Sequence, residues 1–152
     1  MIVEVKNGEL FAEFEKNQYF GLIHGCNCFS DMGAGFARHV RLLYPEAFDA
    51  DKNSQMSPEN KLGKFTDSNT ENGVIINLYS QFHDGPNFDY DAYSKALTIV
   101  NEKYKGKNFC IPKIGCGIGG ADWNIVEKIT NEITTDINIT VFDFTPINNT
   151  LY

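Results

Sequence analysis

The chain has 152 residues, 42% of them apolar and 22% charged, with twelve Phe and seven Tyr. That describes one domain, 1–152, able to bury roughly two thirds of its unfolded surface. Its formal net charge is −7 and no Lys/Arg cluster is present, which excludes broad electrostatic binding to nucleic acid or to an anionic membrane. No apolar run approaches the ~20 residues of a membrane span, and Met1-Ile2-Val3-Glu4-Val5-Lys6 lacks the pattern of a secretory leader. The cysteines, Cys26, Cys28, Cys110 and Cys116, make neither a C-x-x-C pair nor a zinc spacing. Reduced thiols, no metal, no cofactor and a cytoplasmic setting are therefore expected.

Residues 2–6 alternate apolar and polar, as an edge or half-buried strand does, and Asn7-Gly8 turns the chain into a short connection starting at Glu9-Leu10-Phe11. Residues 19–24 read as a second strand buried on both faces. A helix is predicted over about 33–44, with Phe36, Val40, Leu43 and Tyr44 on one face and Pro45 as its stop. Residues 46–61, rich in Asp, Asn, Ser and Lys, read as a polar surface excursion. A short strand over 62–66, a turn at Glu71-Asn72-Gly73 and a strand over 74–79 form a hairpin. After a polar loop at 80–87, a helix over 89–104 carries Tyr93, Leu97, Val100 and Tyr104 at helical spacing. A strand over 108–114, a helix over 122–134 burying Ile125, Val126, Ile129 and Ile133, and a strand over 137–144 complete the chain. The alternation predicts an α/β fold, a mixed central sheet between two helical layers.

Two strand-to-helix loops stand out. Gly115-Cys116-Gly117-Ile118-Gly119-Gly120 places four glycines in six positions between a buried strand and a helix that opens near Asp122. Glycines let backbone approach a ligand closely, consecutive N–H groups form a concave nest, and a helix start offers further unpaired donors, so a phosphate-bearing ligand is expected there. Gly115, Gly117 and Gly120 also satisfy G-x-G-x-x-G, with Asp143 about twenty residues on. A dinucleotide fold, however, opens with that loop and needs further βα units after it, whereas here only one helix and one strand follow. No Gly-Lys-Ser/Thr closes the loop as a Walker A would. The second loop, His24-Gly25-Cys26-Asn27-Cys28-Phe29-Ser30-Asp31-Met32-Gly33-Ala34-Gly35, has the same construction, and two such loops at the carboxyl ends of buried strands suit one ligand across the top of the sheet.

With both loops in view, the chain resembles the macro domain family of ADP-ribose binders over nearly its whole length, from Val5-Lys6-Asn7-Gly8-Glu9-Leu10 to Ile139-Thr140-Val141-Phe142. The most specific matches are His24-Gly25-Cys26-Asn27-Cys28, Met32-Gly33-Ala34-Gly35 and Ile111-Pro112-Lys113-Ile114-Gly115-Cys116-Gly117. Within the family it is most similar to small stand-alone ADP-ribose-1″-phosphate phosphatases, whose first loop carries His-x-Cys-Asn-Cys. The resemblance implies the three-layer macro domain fold and a ligand that is ADP-ribose or ADP-ribose-1″-phosphate. Glu9, followed by Leu10, stands where the family has an Asp that accepts from the adenine amino group. Asn27 would bond the distal ribose, and Met32, Gly33, Ala34 and Gly35 would line that ribose and its 1″ substituent. Gly115, Cys116, Gly117, Ile118, Gly119 and Gly120 would wrap the diphosphate, and Phe142 or Phe144 would stack on adenine.

Hydrolysis at the distal end needs an activated water and a group to manage protons, and His24 and Asp31, beside Asn27, are the candidates. A buried structural histidine and a solvated loop carboxylate are the plainer readings of the same two residues, and Cys26 reads as a packing residue. Relatives that remove ADP-ribose from glutamate use a Lys after the middle strand and an Asp in the second glycine loop. Ser80 or Gln81, and Gly119, occupy those positions here, while Asp122 reads as a helix N-cap. Three functions remain open: a phosphatase acting on ADP-ribose-1″-phosphate, an ADP-ribosyl hydrolase acting on modified macromolecules or O-acyl-ADP-ribose, and a non-catalytic reader of ADP-ribose.

Overall fold

The structure, a computed structural model, describes residues 1–143. Six strands, β1 (Ile2–Asn7), β2 (Gly21–Cys26), β3 (Phe65–Thr70), β4 (Gly73–Tyr79), β5 (Asn108–Ile111) and β6 (Asn138–Asp143), form one sheet in the order β1-β6-β5-β2-β4-β3. All neighbours are parallel except β3, which returns antiparallel on β4 through the turn before Gly73. The predicted mixed sheet between helical layers is the observed architecture. Its physical basis is alternation: Leu22, Ile75 and Cys110 face one layer, while Ile23, Ile76, Phe109 and Ile111 face the other.

Helices α1 (Leu10–Phe14), α2 (Gly35–Leu43) and α3 (Pro45–Lys52) cover the first face through Leu10, Phe11, Phe14, Val40, Tyr44 and Ala47. Helices α5 (Tyr90–Lys103) and α6 (Trp123–Ile133) cover the second through Tyr93, Ala96, Leu97, Val100 and Val126, and Tyr93 Oη meets Thr130 Oγ1 at 2.7 Å between them. Asp122 caps α6 as expected, its carboxylate accepting from Asn124 N at 2.9 Å. On α6, however, Ile125 is 44% exposed. It lies one step round the helix from Val126, and the buried stripe is completed by Thr130.

Several boundaries differ from the sequence reading: β2 runs over Gly21–Cys26 rather than 19–24, β3 over Phe65–Thr70 rather than 62–66, and three more have a local cause. The short connection after Gly8 is α1, because Glu9 accepts from Phe11 N at 3.0 Å and Ala12 N at 2.8 Å and so nucleates a turn. β5 ends at Ile111 because Pro112 has no N–H for the ladder. α2 starts at Gly35, not Gly33, since Ala34 is extended at φ −148°, ψ 161°.

The segment 46–61 is the largest correction. Pro45 both stops α2 and opens α3 as its first residue, and a one-turn helix, α4 (Pro58–Lys61), follows. Together they bury a charge pair, Lys61 Nζ to Asp51 Oδ1 at 2.9 Å, with side chains 4% and 1% exposed. Tyr79 Oη also donates to Asp51 Oδ1, at 2.6 Å, and Lys61 donates to Ser30 Oγ at 2.6 Å. The polar stretch is therefore partly interior, and it reaches the first loop through Ser30.

Candidate functional site

A cavity of about 560 Å³ runs along the carboxyl ends of β6, β5, β2 and β4, lined in turn by Phe142 and Asp143, Pro112 and Lys113, Cys26 and Asn27, and Ser80 and Gln81. At about 4.8 Å between neighbouring strands, these four span about 14 Å. That is the length of an extended ligand, not of a single phosphate.

The second glycine loop forms one wall. Gly115 adopts φ +77°, and a Cβ there would stand 2.3 Å from the Phe88 ring, so only glycine lets the strand end turn beneath that ring. Ala121 N donates to Gly115 O at 2.8 Å, Gly120 N to Gly117 O at 3.2 Å, and Phe88 N to Gly119 O at 3.2 Å. These bonds use the carbonyls. Among the described residues, the N–H groups of Gly117, Ile118 and Gly119 make no intramolecular hydrogen bond. The opposite wall is the start of α2, and Ala34 gives it no side-chain cap, whereas α1, α4, α5 and α6 are capped by Glu9, Ser57, Asp89 and Asp122. The cavity thus lies between a row of unused backbone donors and an uncapped helix N-terminus, a field that favours anions. Lys113 is the only basic side chain among the described lining residues, and it is ion-paired to Asp143 at 3.0 Å.

In the first loop, Asn27 Oδ1 accepts from Phe29 N at 2.9 Å, and Nδ2 donates to Asp31 Oδ1 at 3.0 Å. The two bonds fix the amide orientation and leave one Nδ2 hydrogen for a ligand. Asp31 Oδ1 also accepts from Gly33 N at 3.4 Å, so its second oxygen is open to water or substrate. Ser30, at φ +57°, is held from below by Lys61.

Of the residues singled out from sequence, Asn27, Asp31, Met32, Gly33, Ala34, Gly35, Gly115, Cys116, Gly117, Ile118, Gly119 and Phe142 line the cavity. Gly120 lies just behind it, against Pro86. Glu9 and Leu10 do not line it: the Glu9 carboxylate caps α1 and Leu10 is buried, although a Cβ on the neighbouring Gly8 would stand 3.6 Å from the Phe142 ring. Phe142 is 3% exposed and meets Tyr19 edge-on at 6.0 Å, and Phe144 lies outside the described residues.

His24 is also absent from the lining and 0% exposed. Asn77 Nδ2 donates to Ala47 O at 2.8 Å and to Thr66 Oγ1 at 3.1 Å, so Asn77 Oδ1 must accept, and His24 Nε2 carries the proton across 2.7 Å. Burial lowers the His24 pKa to about 4, so at neutral pH it is an uncharged imidazole beneath the site. Burial likewise pushes the Cys26 thiol well up and the Cys116 thiol up to about 11, so neither lining cysteine is a thiolate at pH 7. Among the described residues, no group of three His, Cys, Asp or Glu side chains is placed so as to hold a metal ion.

The cavity has parts that the sequence reading did not assign to the ligand, chiefly Phe36, Asp84 and Gly85, and it includes both Ser80 and Gln81, the two candidates for the position of the relatives' lysine. The available signal was the end of β4: a loop following a parallel strand opens at the same sheet edge as the two glycine loops.

No protein-family model matches the chain. An uncharacterized 17.5 kDa protein from the tk-vs intergenic region of Enterobacteria phage T4 is 33% identical over 156 residues, spanning 97% of this chain and 99% of that protein. Among solved structures, the macrodomain of Thermus aquaticus DarG aligns with a TM-score of 0.73 at 17% identity, covering 96% of this chain and 99% of that one. Thermosipho africanus DarTG, solved in complex with ADP-ribose, aligns with a TM-score of 0.73 at 20% identity, covering 99% of this chain and 43% of that one.

Proposed function

The chain belongs to one family with the phage T4 17.5 kDa protein and has the macro domain fold, and from that premise we propose that its cavity binds ADP-ribose and that Asn27 and Asp31 support hydrolysis at the distal ribose. One observation carries the binding half. Gly117, Ile118 and Gly119, whose N–H groups bond nothing among the described residues, line together with an uncapped helix start a cavity long enough for a nucleotide sugar. Hydrogen bonds to charged groups contribute about 1.5–3 kcal/mol each. Three or four such bonds to a diphosphate support micromolar affinity, about −8 kcal/mol, after the cost of association. The likeness to a structure holding ADP-ribose supports the same ligand.

The expected substrate is ADP-ribose-1″-phosphate. Asn27 orients the distal ribose with its remaining Nδ2 hydrogen. The open Asp31 oxygen takes a proton from water as that water attacks phosphorus; the bond from phosphorus to O1″ breaks, Asp31 returns the proton to O1″, and ADP-ribose and inorganic phosphate are the products. A second reading, release of ADP-ribose from a modified macromolecule or from O-acyl-ADP-ribose, is favoured by the charges at this end. Among the described residues, Asp31 and Asp84 both line the cavity and its one basic side chain is tied to Asp143, so a terminal phosphate meets no free cation there while a neutral leaving group meets no penalty.

Phosphate release from ADP-ribose-1″-phosphate, measured beside ADP-ribose release from a modified protein, separates the two, and binding without either release makes the protein a reader. Asp31→Asn is expected to lose turnover and keep ADP-ribose affinity. Turnover equal to that of the unsubstituted protein removes Asp31 from the chemistry.

A further inference from the structure

The loop after β4 supplies a polar group whose orientation the protein has already fixed. Gln81 is half-buried and lines the cavity. Its Nε2 donates to His83 O at 2.8 Å and to Gly85 O at 3.0 Å, so both amide hydrogens are spent on carbonyls and the oxygen cannot be exchanged with the nitrogen. That leaves Oε1 as a pure acceptor. It lies over the second glycine loop, 3.0 Å from where a Cβ on Gly119 would stand, and no protein donor reaches it among the described residues. The backbone holds the residue from the other side as well: Cys28 Sγ donates to Gln81 O at 3.4 Å, Cys28 N to Phe82 O at 3.1 Å, and Ser80 N to Cys26 O at 3.2 Å. Gln81 therefore sits between the Asn27 loop and the end of the diphosphate loop.

An acceptor fixed at that junction repels a phosphate oxygen and attracts a hydroxyl. We infer that Gln81 is a specificity-determining residue whose Oε1 accepts from a hydroxyl of the distal ribose, so that the cleft prefers ADP-ribose to ADP; this rests on the ADP-ribose reading of the same site. The diphosphate donors cannot supply that preference, because the terminal phosphate of ADP is the more highly charged of the two and they would favour it. Lys or Arg at this position would instead neutralise an anion, and the amide selects a neutral donor.

The experiment is a binding cycle by titration calorimetry, using the unsubstituted protein and Gln81→Met against ADP-ribose, ADP, and the 2″-deoxy and 3″-deoxy analogues of ADP-ribose. Gln81→Met is expected to weaken ADP-ribose by about tenfold and to leave ADP within twofold. One deoxy analogue is expected to show the same loss with the unsubstituted protein and no further loss with Gln81→Met, the non-additivity that marks a direct contact. Equal losses for ADP-ribose and ADP, or full additivity with both analogues, overturn the assignment. Should Gln81→Met not fold, the unsubstituted protein still decides: both analogues binding as tightly as ADP-ribose overturns the contact. An unsubstituted protein that binds neither ADP-ribose nor ADP overturns the ligand reading itself, an outcome distinct from the loss of Gln81 alone.

Discussion

Adding one methyl group to Gly119 tests whether the diphosphate wall is where the geometry puts it. An alanine Cβ there would stand 2.8 Å from Gly115 O, 3.0 Å from Gln81 Oε1 and 3.2 Å from Gly115 Cα. Two of those three atoms are backbone, so the loop itself must give by a few tenths of an ångström. The loop has little room to do so, because Ala121 N and Phe88 N hold Gly115 O and Gly119 O at 2.8 and 3.2 Å. The donors of Ile118 and Gly119 then turn away from the ligand. Losing one charge-assisted hydrogen bond costs about 1.5–3 kcal/mol, about a 10- to 150-fold weaker ADP-ribose affinity. Gly119→Glu adds a negative charge beside the diphosphate and is expected to abolish measurable binding. Calorimetry reads the affinities, and thermal melting checks the fold. Gly117→Ala is the matched control for folding, since a Cβ there meets nothing within 4 Å. A folded Gly119→Ala protein that binds ADP-ribose within twofold of the unsubstituted chain would refute the placement.

Lys61→Met leaves the Asp51 carboxylate buried without its cation, one oxygen, Oδ2, already lacking a partner among the described residues. The expected loss is about 3–5 kcal/mol in urea denaturation, and a loss below about 1 kcal/mol would show that water reaches the carboxylate. His24 sets a pH dependence of definite sign. Its pKa is lowered from 6.5 to about 4 in the folded chain, so between those values the unfolded chain binds a proton that the native one does not. The stability from this group is complete above pH 6.5 and falls by about 3 kcal/mol as pH drops to 4. His24→Gln is expected to remove that part of the slope between pH 7.5 and 4.5, and an equal decline in both proteins would place the titration elsewhere.

What could be read from sequence divides along a physical line. β2 and β4 alternate between two apolar layers within a few residues, so their burial is written locally. The glycine loops were legible because their chemistry belongs to the backbone, and few residue types free it. Asp51 and Lys61 were not: each looks like an ordinary surface charge, and only the folding of α3 and α4 under the first loop joins them. The same limit governed His24, whose partner Asn77 sits directly opposite it on the neighbouring parallel strand, 53 residues away in the chain. A histidine at a strand end signals chemistry only if that end is open, and pairing across strands decides whether it is.

The −7 net charge and an anionic ligand are reconciled by the range over which each acts. Charges on the surface of the chain are screened over about 10 Å in 0.1 M salt, whereas Gly117, Ile118 and Gly119, whose N–H groups bond nothing among the described residues, line the recess itself. At hydrogen-bond range local dipoles outweigh a dispersed net charge, provided no donor is diverted and the local carboxylates are occupied. The structure meets much of that condition. Asp143 is neutralised by Lys113, Asp122 and Glu9 are turned to helix caps, and the one helix start on the cavity is left without a capping side chain. Asp31 and Asp84 remain, both on the lining. Carboxylates there disfavour a terminal phosphate and leave an uncharged leaving group unaffected, which is why the acidic side chains weigh on the choice between the two substrates and the glycines on the choice of diphosphate.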